Sequence, residues 1–388
     1  MRKVPELRFA GFDGEWEEVK FETLANIVRG ASPRPIADER WFDESSDVGW
    51  LRISDVTNQN GRIHELEQKL SLDGQTKTRV YKTPHLILSI AASVGKPVIN
   101  YINTGVHDGF LIFEDPIFDL EFMFQFLDKI QITWSKYGQP GSQVNLNSEI
   151  VKNRNIYIPT LDEQNKNGNL FKKIDDLIEI QEGKVAKVRD YKKSMLQKMF
   201  PRKGKLVPKF RFDGFGGEWE AKRISNISNQ YDRLRKPVKE SLRTKGDYPY
   251  YGATGIQDYV DDYIFDGEYV LIAEDGASDI LNYPVNYVNE KFWVNNHAHI
   301  IQSKEGYQTL FLSYSLKQTD FNRYLVGGTR KKLNASSLER IEVKMPTLEE
   351  QEKIGQFFKN LDSQIENEEK LLDSYKMMKK SLLQKMFV

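Results

Sequence analysis

The chain has 388 residues, 56 Lys and Arg against 56 Asp and Glu, and no Cys. A net charge of zero argues against holding nucleic acid by bulk electrostatics alone, since such domains are mostly basic. Without Cys there are no disulfides or Cys-ligated metals, which suits a reducing compartment. At 39% hydrophobic and 12% aromatic the chain reads as folded, with length for about two domains. No apolar stretch approaches the roughly 20 residues of a membrane helix. The start, MRKVPELRFAG, lacks the apolar core of a signal peptide. A cytoplasmic protein is expected.

The chain opens on P-E-L-R-F-A-G-F-D-G-E-W-E, Pro5 to Glu17. Short apolar-aromatic runs bounded by Gly, Asn and Asp follow. They predict strands at His85–Ile90, Phe110–Phe113 and Asn155–Ile158. Between them lie Trp50-Leu51-Arg52, the Gly-containing loop Ala92–Lys96, Val106–Gly109, and a late loop from Gly138 to Gln143. At P-T-L-D-E-Q the pattern turns helical. Thr160 precedes Glu163 at capping-box spacing, as Thr347 precedes Glu350 further on. This first helical tail ends in S-M-L-Q-K-M-F.

The chain then starts again. P-K-F-R-F-D-G-F-G-G-E-W-E begins at Pro208, so that Pro5 aligns with Pro208 and Trp16 with Trp219. Strands are predicted at Tyr269–Ala273 and His299–Gln302, with loops at Tyr250–Gly255, Ala273–Gly276, Val294–His297 and Gly327–Lys332. A second tail, P-T-L-E-E-Q to S-L-L-Q-K-M-F, closes the copy. Each copy is a variable body of about 150 residues plus a more similar tail, too long for a solenoid repeat.

Both tails carry apolar residues at alternating steps of three and four, the pattern of a coiled-coil seam. In the first they are Phe171, Ile174, Ile178, Val185, Val188, Met195 and Met199. In the second they are Phe358, Leu361, Ile365, Leu372, Tyr375, Leu382 and Met386. Gln181 and Glu368 interrupt the seams at one shared position, Lys192 and Lys379 at another. Two equivalent seams in one chain are each other's nearest partners, so the helices are expected to pack together, antiparallel about a pseudo-twofold axis. Gly168 and Gly355 are expected weak points for a kink. The fold class expected is mixed α/β: two globular domains separated by a long antiparallel helix pair.

Catalytic readings fail on their own residues. SIAASVGKP, Ser89 to Pro97, has Ile90 where a P-loop needs Gly and Pro97 where it needs Ser or Thr. His297-x-His299 lacks a nearby third metal ligand, and a structural role is expected. The pairs Asp261-Asp262 and Glu274-Asp275 sit in turns where acids commonly cap. No cofactor fingerprint and no Asn-Pro-Pro-aromatic methylase signature is present. The Gly loops suit recognition better: Arg and Lys match guanine edges or phosphates, Asn and Gln match adenine edges. Candidate DNA contacts are Arg52, Ser93, Lys96, Ser142 and Gln143 in the first body. In the second they are Tyr251, Asn295, Asn296, His297, Thr329, Arg330, Lys331 and Lys332.

The arrangement resembles the specificity subunit of type I restriction–modification enzymes. The resemblance is carried by the duplicated W-E opening, Y-P-Y-Y-G-A-T-G, the late G-T-R-K-K-L, and the tails P-T-L-x-E-Q to L-Q-K-M-F. It implies target-recognition domains at 1–158 and 205–345, and spacer helices at 159–204 and 346–388. It implies a non-catalytic chain in which each domain reads one half of a bipartite site in double-stranded DNA. The helices then set the gap and dock two modification subunits, which carry S-adenosylmethionine; this chain itself holds no cofactor. Restriction subunits add translocation and cleavage. The first copy departs from the pattern, since YGQPGSQVNLN lacks the basic run of GGTRKKLN. The alternatives are a self-contained methylase or nuclease, and a coiled-coil scaffold whose repeated domains bind protein or glycan.

Overall fold

A computed structural model describes residues 3–91, 93–137, 146–277, 279–280, 282–328 and 331–388. The chain is mixed α/β and divides into two compact units, residues 1–182 with 370–388, and residues 183–369. The division cuts both long helices, Leu161–Met199 and Leu348–Met386, so each helix gives one half to each unit.

In the first unit a five-stranded sheet runs in the order Asn26–Arg29, Phe110–Glu114, Leu86–Ser89, Pro97–Asn100, Arg62–Ile63. Its central strands read LILS and FLIFE without alternation because both faces are covered. A smaller sheet of Gly49–Leu51, Thr104–Val106 and Arg79–Tyr81 lies beside it. The helix Leu120–Ile130, capped by the Asp119 carboxylate accepting from the Phe122 N–H, sinks Phe122, Met123, Phe126 and Leu127 into the core.

The second unit holds a six-stranded sheet in the order Ser228–Gln230, Ala298–Ser303, Phe265–Ala273, Val285–Val294, Lys245–Tyr251, Ile256–Val260. The helix Thr309–Lys317 packs on it. In both units the strand after the opening Trp pairs antiparallel with the strand before the tail. Glu17–Lys20 pairs with Asn155–Ile158, and Glu220–Arg223 with Glu342–Met345. Each predicted strand lies within or around an observed one, Asn155–Ile158 to the residue.

The repeated motifs form one knot, built twice. Arg8 clasps Glu163 through two hydrogen bonds and Arg211 clasps Glu350 in the same way. The Gln of each P-T-L-x-E-Q donates to the preceding Pro carbonyl and accepts from the body's backbone, Gln164 from Asp119 N–H and Gln351 from Gln308 N–H. Into this knot comes the far end of the other tail. Phe387 packs on Trp16, Phe122 and Phe171, and Phe200 on Trp219, Phe311 and Phe358. The opening segment then caps that helix end: Glu6 and Leu7 N–H donate to Lys385 O, and Phe210 N–H to Lys198 O.

The long helices pack together, antiparallel within each unit. Phe171, Ile174, Val185, Met195, Phe358 and Leu361 are buried, while Ile178, Val188, Ile365, Leu372, Tyr375 and Leu382 are half-buried. The ends of the seams do double duty, because Phe171 and Ile174 also join the first unit's core and Met195 and Phe358 the second's. Both seam lysines are paired, Lys379 with Asp175 at 2.7 Å and Lys192 with Asp362. Alongside run Glu182–Lys376 and Arg189–Glu369. Gly168 and Gly355 do not interrupt either helix. They are close-approach points: a Cβ on Gly168 would lie 2.3 Å from Asp119 Oδ1 and 2.8 Å from the Phe122 nitrogen. One on Gly355 would lie 2.4 Å from Gln308 Oε1.

Candidate nucleic-acid interface

In the second unit three loops chosen from the sequence meet beside the six-stranded sheet. The Glu274 N–H donates to His297 O, and the Leu333 N–H to Glu274 O, so the backbones of all three are tied. Asp275 sits at their junction. It takes His297 Nδ1 at 2.7 Å and Lys332 Nζ at 3.2 Å. Burial raises the Asp275 pKa, but these two partners outweigh it and hold the carboxyl below its usual range.

Beneath lies His299, 1% exposed. Its Nδ1 faces Asp232 Oδ2 at 2.5 Å and its Nε2 the Leu333 carbonyl at 2.7 Å. Both ring nitrogens meet acceptors. Burial alone would lower its pKa, but the Asp232 carboxylate and the Leu333 carbonyl raise it and favour the charged imidazolium. His299 is structural, as expected. Among the described residues no group of His, Asp and Glu could hold a metal.

The individual candidates fare differently. Asn296 and His297 are exposed at the tip of the turn, and Lys331 and Lys332 beside it. Lys331 donates to Asn322 Oδ1 at 2.6 Å. Tyr251 and Asn295 need correction. Tyr251 lies in the core against Phe292 with its hydroxyl donated to Glu290, and Asn295 is 5% exposed, bonded to Gln257 and the His297 N–H. Both shape the turn from within and offer no face to a ligand. Thr329 and Arg330 lie outside the described residues.

In the first unit Ser93 and Lys96 stand half-buried in the turn joining Leu86–Ser89 to Pro97–Asn100. These strands form an antiparallel hairpin, so SIAASVGKP has no helix behind it to cradle a phosphate. Arg52 precedes the short helix Ile53–Asn58 and is paired with Asp55 at 3.2 Å. Ser142 and Gln143 lie outside the described residues. The structure also gathers a cluster around the Val106–Gly109 loop whose distant partners no sequence motif announced. Asp108 gathers Ser32 at 2.9 Å, Arg34 at 2.7 Å and His107 at 3.1 Å, while Arg29 donates to its carbonyl. Like Asp275, it is a carboxylate holding loops together, and its cation partners come from a segment far away in sequence.

Residues 13–189 and 216–375 each match the type I restriction modification DNA specificity domain. The chain belongs to this family. Its members are the non-catalytic specificity subunits of type I systems, and two matches in one chain restate the internal repeat. A putative type I restriction enzyme specificity subunit of Haemophilus influenzae is 43% identical over 139 residues, 36% of this chain and 36% of that one. The EcoprrI specificity subunit of Escherichia coli is 21% identical over 365 residues, covering 91% of this chain and 88% of that one. The fold is that of a type I S subunit from M. genitalium, with a TM-score of 0.72 over 99% of both chains at 16% identity. No helix among the described residues is long and apolar enough to cross a membrane.

A further signal lies in the second unit, between the strands Ser228–Gln230 and Lys245–Tyr251. Arg233–Lys245 holds six Lys or Arg and one acid, Glu240. A charge count over short windows outside the Gly loops would have found it.

Proposed function

We propose that this chain is the DNA-reading subunit of a type I restriction–modification complex, each recognition domain contacting one half of a bipartite site in double-stranded DNA. The observation that carries the reading is the meeting of three loops from separate parts of the second body, tied by backbone hydrogen bonds and exposing Asn296, His297, Lys331 and Lys332. Amide, imidazole and ammonium groups on one rigid edge are the donors and acceptors that base edges and phosphates require. In the first domain the corresponding contacts are Arg52, Ser93 and Lys96. The long helices serve as the spacer between half-sites and the dock for two modification subunits. A seam of roughly 43 Å at 1.5 Å per residue is comparable to the about 34–36 Å of one B-DNA turn. S-adenosylmethionine and the methylation chemistry belong to those partners, and restriction subunits, where present, add cleavage.

The test is the adenine-methylation map of DNA from cells carrying this chain with its modification subunit, against cells lacking the chain. A new split motif, two short halves about one helical turn apart, is the expected result. A formed complex that adds no methylation overturns the reading in favour of a scaffold.

A further inference from the structure

We infer that Arg233–Lys245 is a phosphate-gripping strap of the second recognition domain, which holds the DNA backbone while the neighbouring loops read bases. The inference rests on the proposed DNA-reading function and deepens it. The segment leaves Ser228–Gln230 at one edge of the six-stranded sheet and enters Lys245–Tyr251 near the other, passing the reading loops on the way.

Its cations divide into two kinds. Arg235 and Arg243 are anchors with side chains 15% exposed. Arg235 binds Glu274 at 2.7 Å and the carbonyls of Asn296 and Ala298, which ties the strap to the reading loops. Arg243 binds Asp258 at 3.3 Å and lies over the Tyr250 ring at 4.2 Å. Two backbone bonds complete the attachment: Trp293 Nε1 donates to Lys236 O, and the Val238 N–H to Tyr250 Oη. Arg233, Lys236, Lys239 and Lys245 are the other kind. All four are exposed, and among the described residues none makes an ion pair or a side-chain hydrogen bond.

The contrast decides the assignment. Lys332 and Arg52 already face carboxylates of their own chain, so a phosphate must compete for them. The strap's free cations are set on a restrained backbone with no such competitor. A polyanion of regular spacing, the DNA backbone, is the ligand that four fixed, unneutralised cations fit. The counterpart segment of the first domain is acidic instead. There the segment after Asn26–Arg29 carries Asp38, Glu39, Asp43, Glu44 and Asp47, with Arg34 bound to Asp108 and Arg40 to Asp38.

The experiment uses the full chain copurified with its modification subunit, and duplexes carrying the methylated motif found in vivo or a scrambled version. Affinity is measured at several salt concentrations for wild type, for R233Q/K236Q/K239Q/K245Q, and for a control with the same charge change, K198Q/K203Q/K205Q/K209Q. The strap variant is expected to bind both duplexes about tenfold or more weakly, with a log–log salt slope shallower by roughly 0.9 for each phosphate it no longer neutralises. The methylated motif should stay the same, and K236R/K239R/K245R should keep the wild-type slope. An unchanged slope, an equal loss in the control, or an altered motif each overturns the strap while the subunit's function stands. A wild-type complex that does not prefer its motif overturns the functional reading itself.

Discussion

Arg8 and Glu163 face each other in a two-pronged ion pair, Nε to Oε1 at 2.9 Å and Nη2 to Oε2 at 2.6 Å. The Arg side chain is 13% exposed and the Glu 2%. The pair joins the opening motif to the first turn of the tail, which explains why both stretches recur with so little change. Truncating either partner strands a buried charge. R8A or E163A is expected to cost about 3–5 kcal/mol, whereas the double variant costs less than the sum. Urea unfolding of the four proteins measures this coupling.

Phe200 and Phe387 end the two tails, yet each completes the unit that contains the other copy's body. F200A should therefore destabilise residues 183–369, by about 3–5 kcal/mol, and leave the preceding body protected. F387A should act on the N-terminal body instead. Hydrogen exchange by mass spectrometry separates the two. Faster exchange around Leu86–Ser89 in F200A would contradict the assignment.

The repeat, the seams and most strands were legible because they follow from local pattern: apolar runs, three-and-four spacing, two copies of one motif. The lysines in the seams read as interruptions because their partners, Asp175 and Asp362, lie on the facing helix, far away in sequence. Gly168 looked like a kink for the same reason, since the helix N-terminus it admits comes from another part of the chain. Tyr251 and Asn295 look like loop residues in one dimension and turn inward only once Phe292 and Gln257 are placed. The meeting of the Gly loops rests on backbone hydrogen bonds between distant stretches, which no single stretch encodes.

Three glycines in the long helices make the same substitution give different results. An Ala gains up to about 1 kcal/mol of helix propensity at each. At Gly183 the added Cβ meets nothing within 4 Å, so G183A should stabilise by about that amount. At Gly168 the Cβ meets backbone at the Leu120–Ile130 N-terminus, and overpacking of about 1–3 kcal/mol outweighs the gain. At Gly355 only the end of Gln308 obstructs, and it can swing, so G355A should be near neutral. Thermal melts should rank G183A above wild type and G168A below.

His299 makes the second unit pH-sensitive. Its folded pKa is raised, so its contribution is complete below the unfolded value of about 6.5 and is lost as pH rises through the folded value. Asp232 behaves oppositely. Burial raises its pKa, but His299, the Ile300 N–H and Arg235 together lower it, so its contribution is lost as pH falls through that depressed value. Glu274, 4.0 Å from the His299 ring, and Arg235, 3.7 Å from Asp232, are the other charges facing the pair. Stability of this unit should decline from mildly acid to alkaline pH, and H299Q should flatten that decline. An unchanged slope in H299Q would place the titration elsewhere.

The division between units falls after Glu182 in one helix and after Glu369 in the other, equivalent points in the two copies. A heptad inserted at both keeps every seam residue in phase, because the seam repeats every seven. It also leaves the ion pairs on either side intact, Glu182–Lys376 in one unit and Arg189–Glu369 in the other. If the helices act as the spacer, the methylated motif should keep both halves and gain unread base pairs between them. The added rise is about 10 Å, room for at most roughly three base pairs. Methylome sequencing reads the gap directly. A heptad in one helix alone puts the seams out of step and should abolish methylation. A doubly extended chain that methylates at the original spacing would leave the gap to be set by the modification subunits.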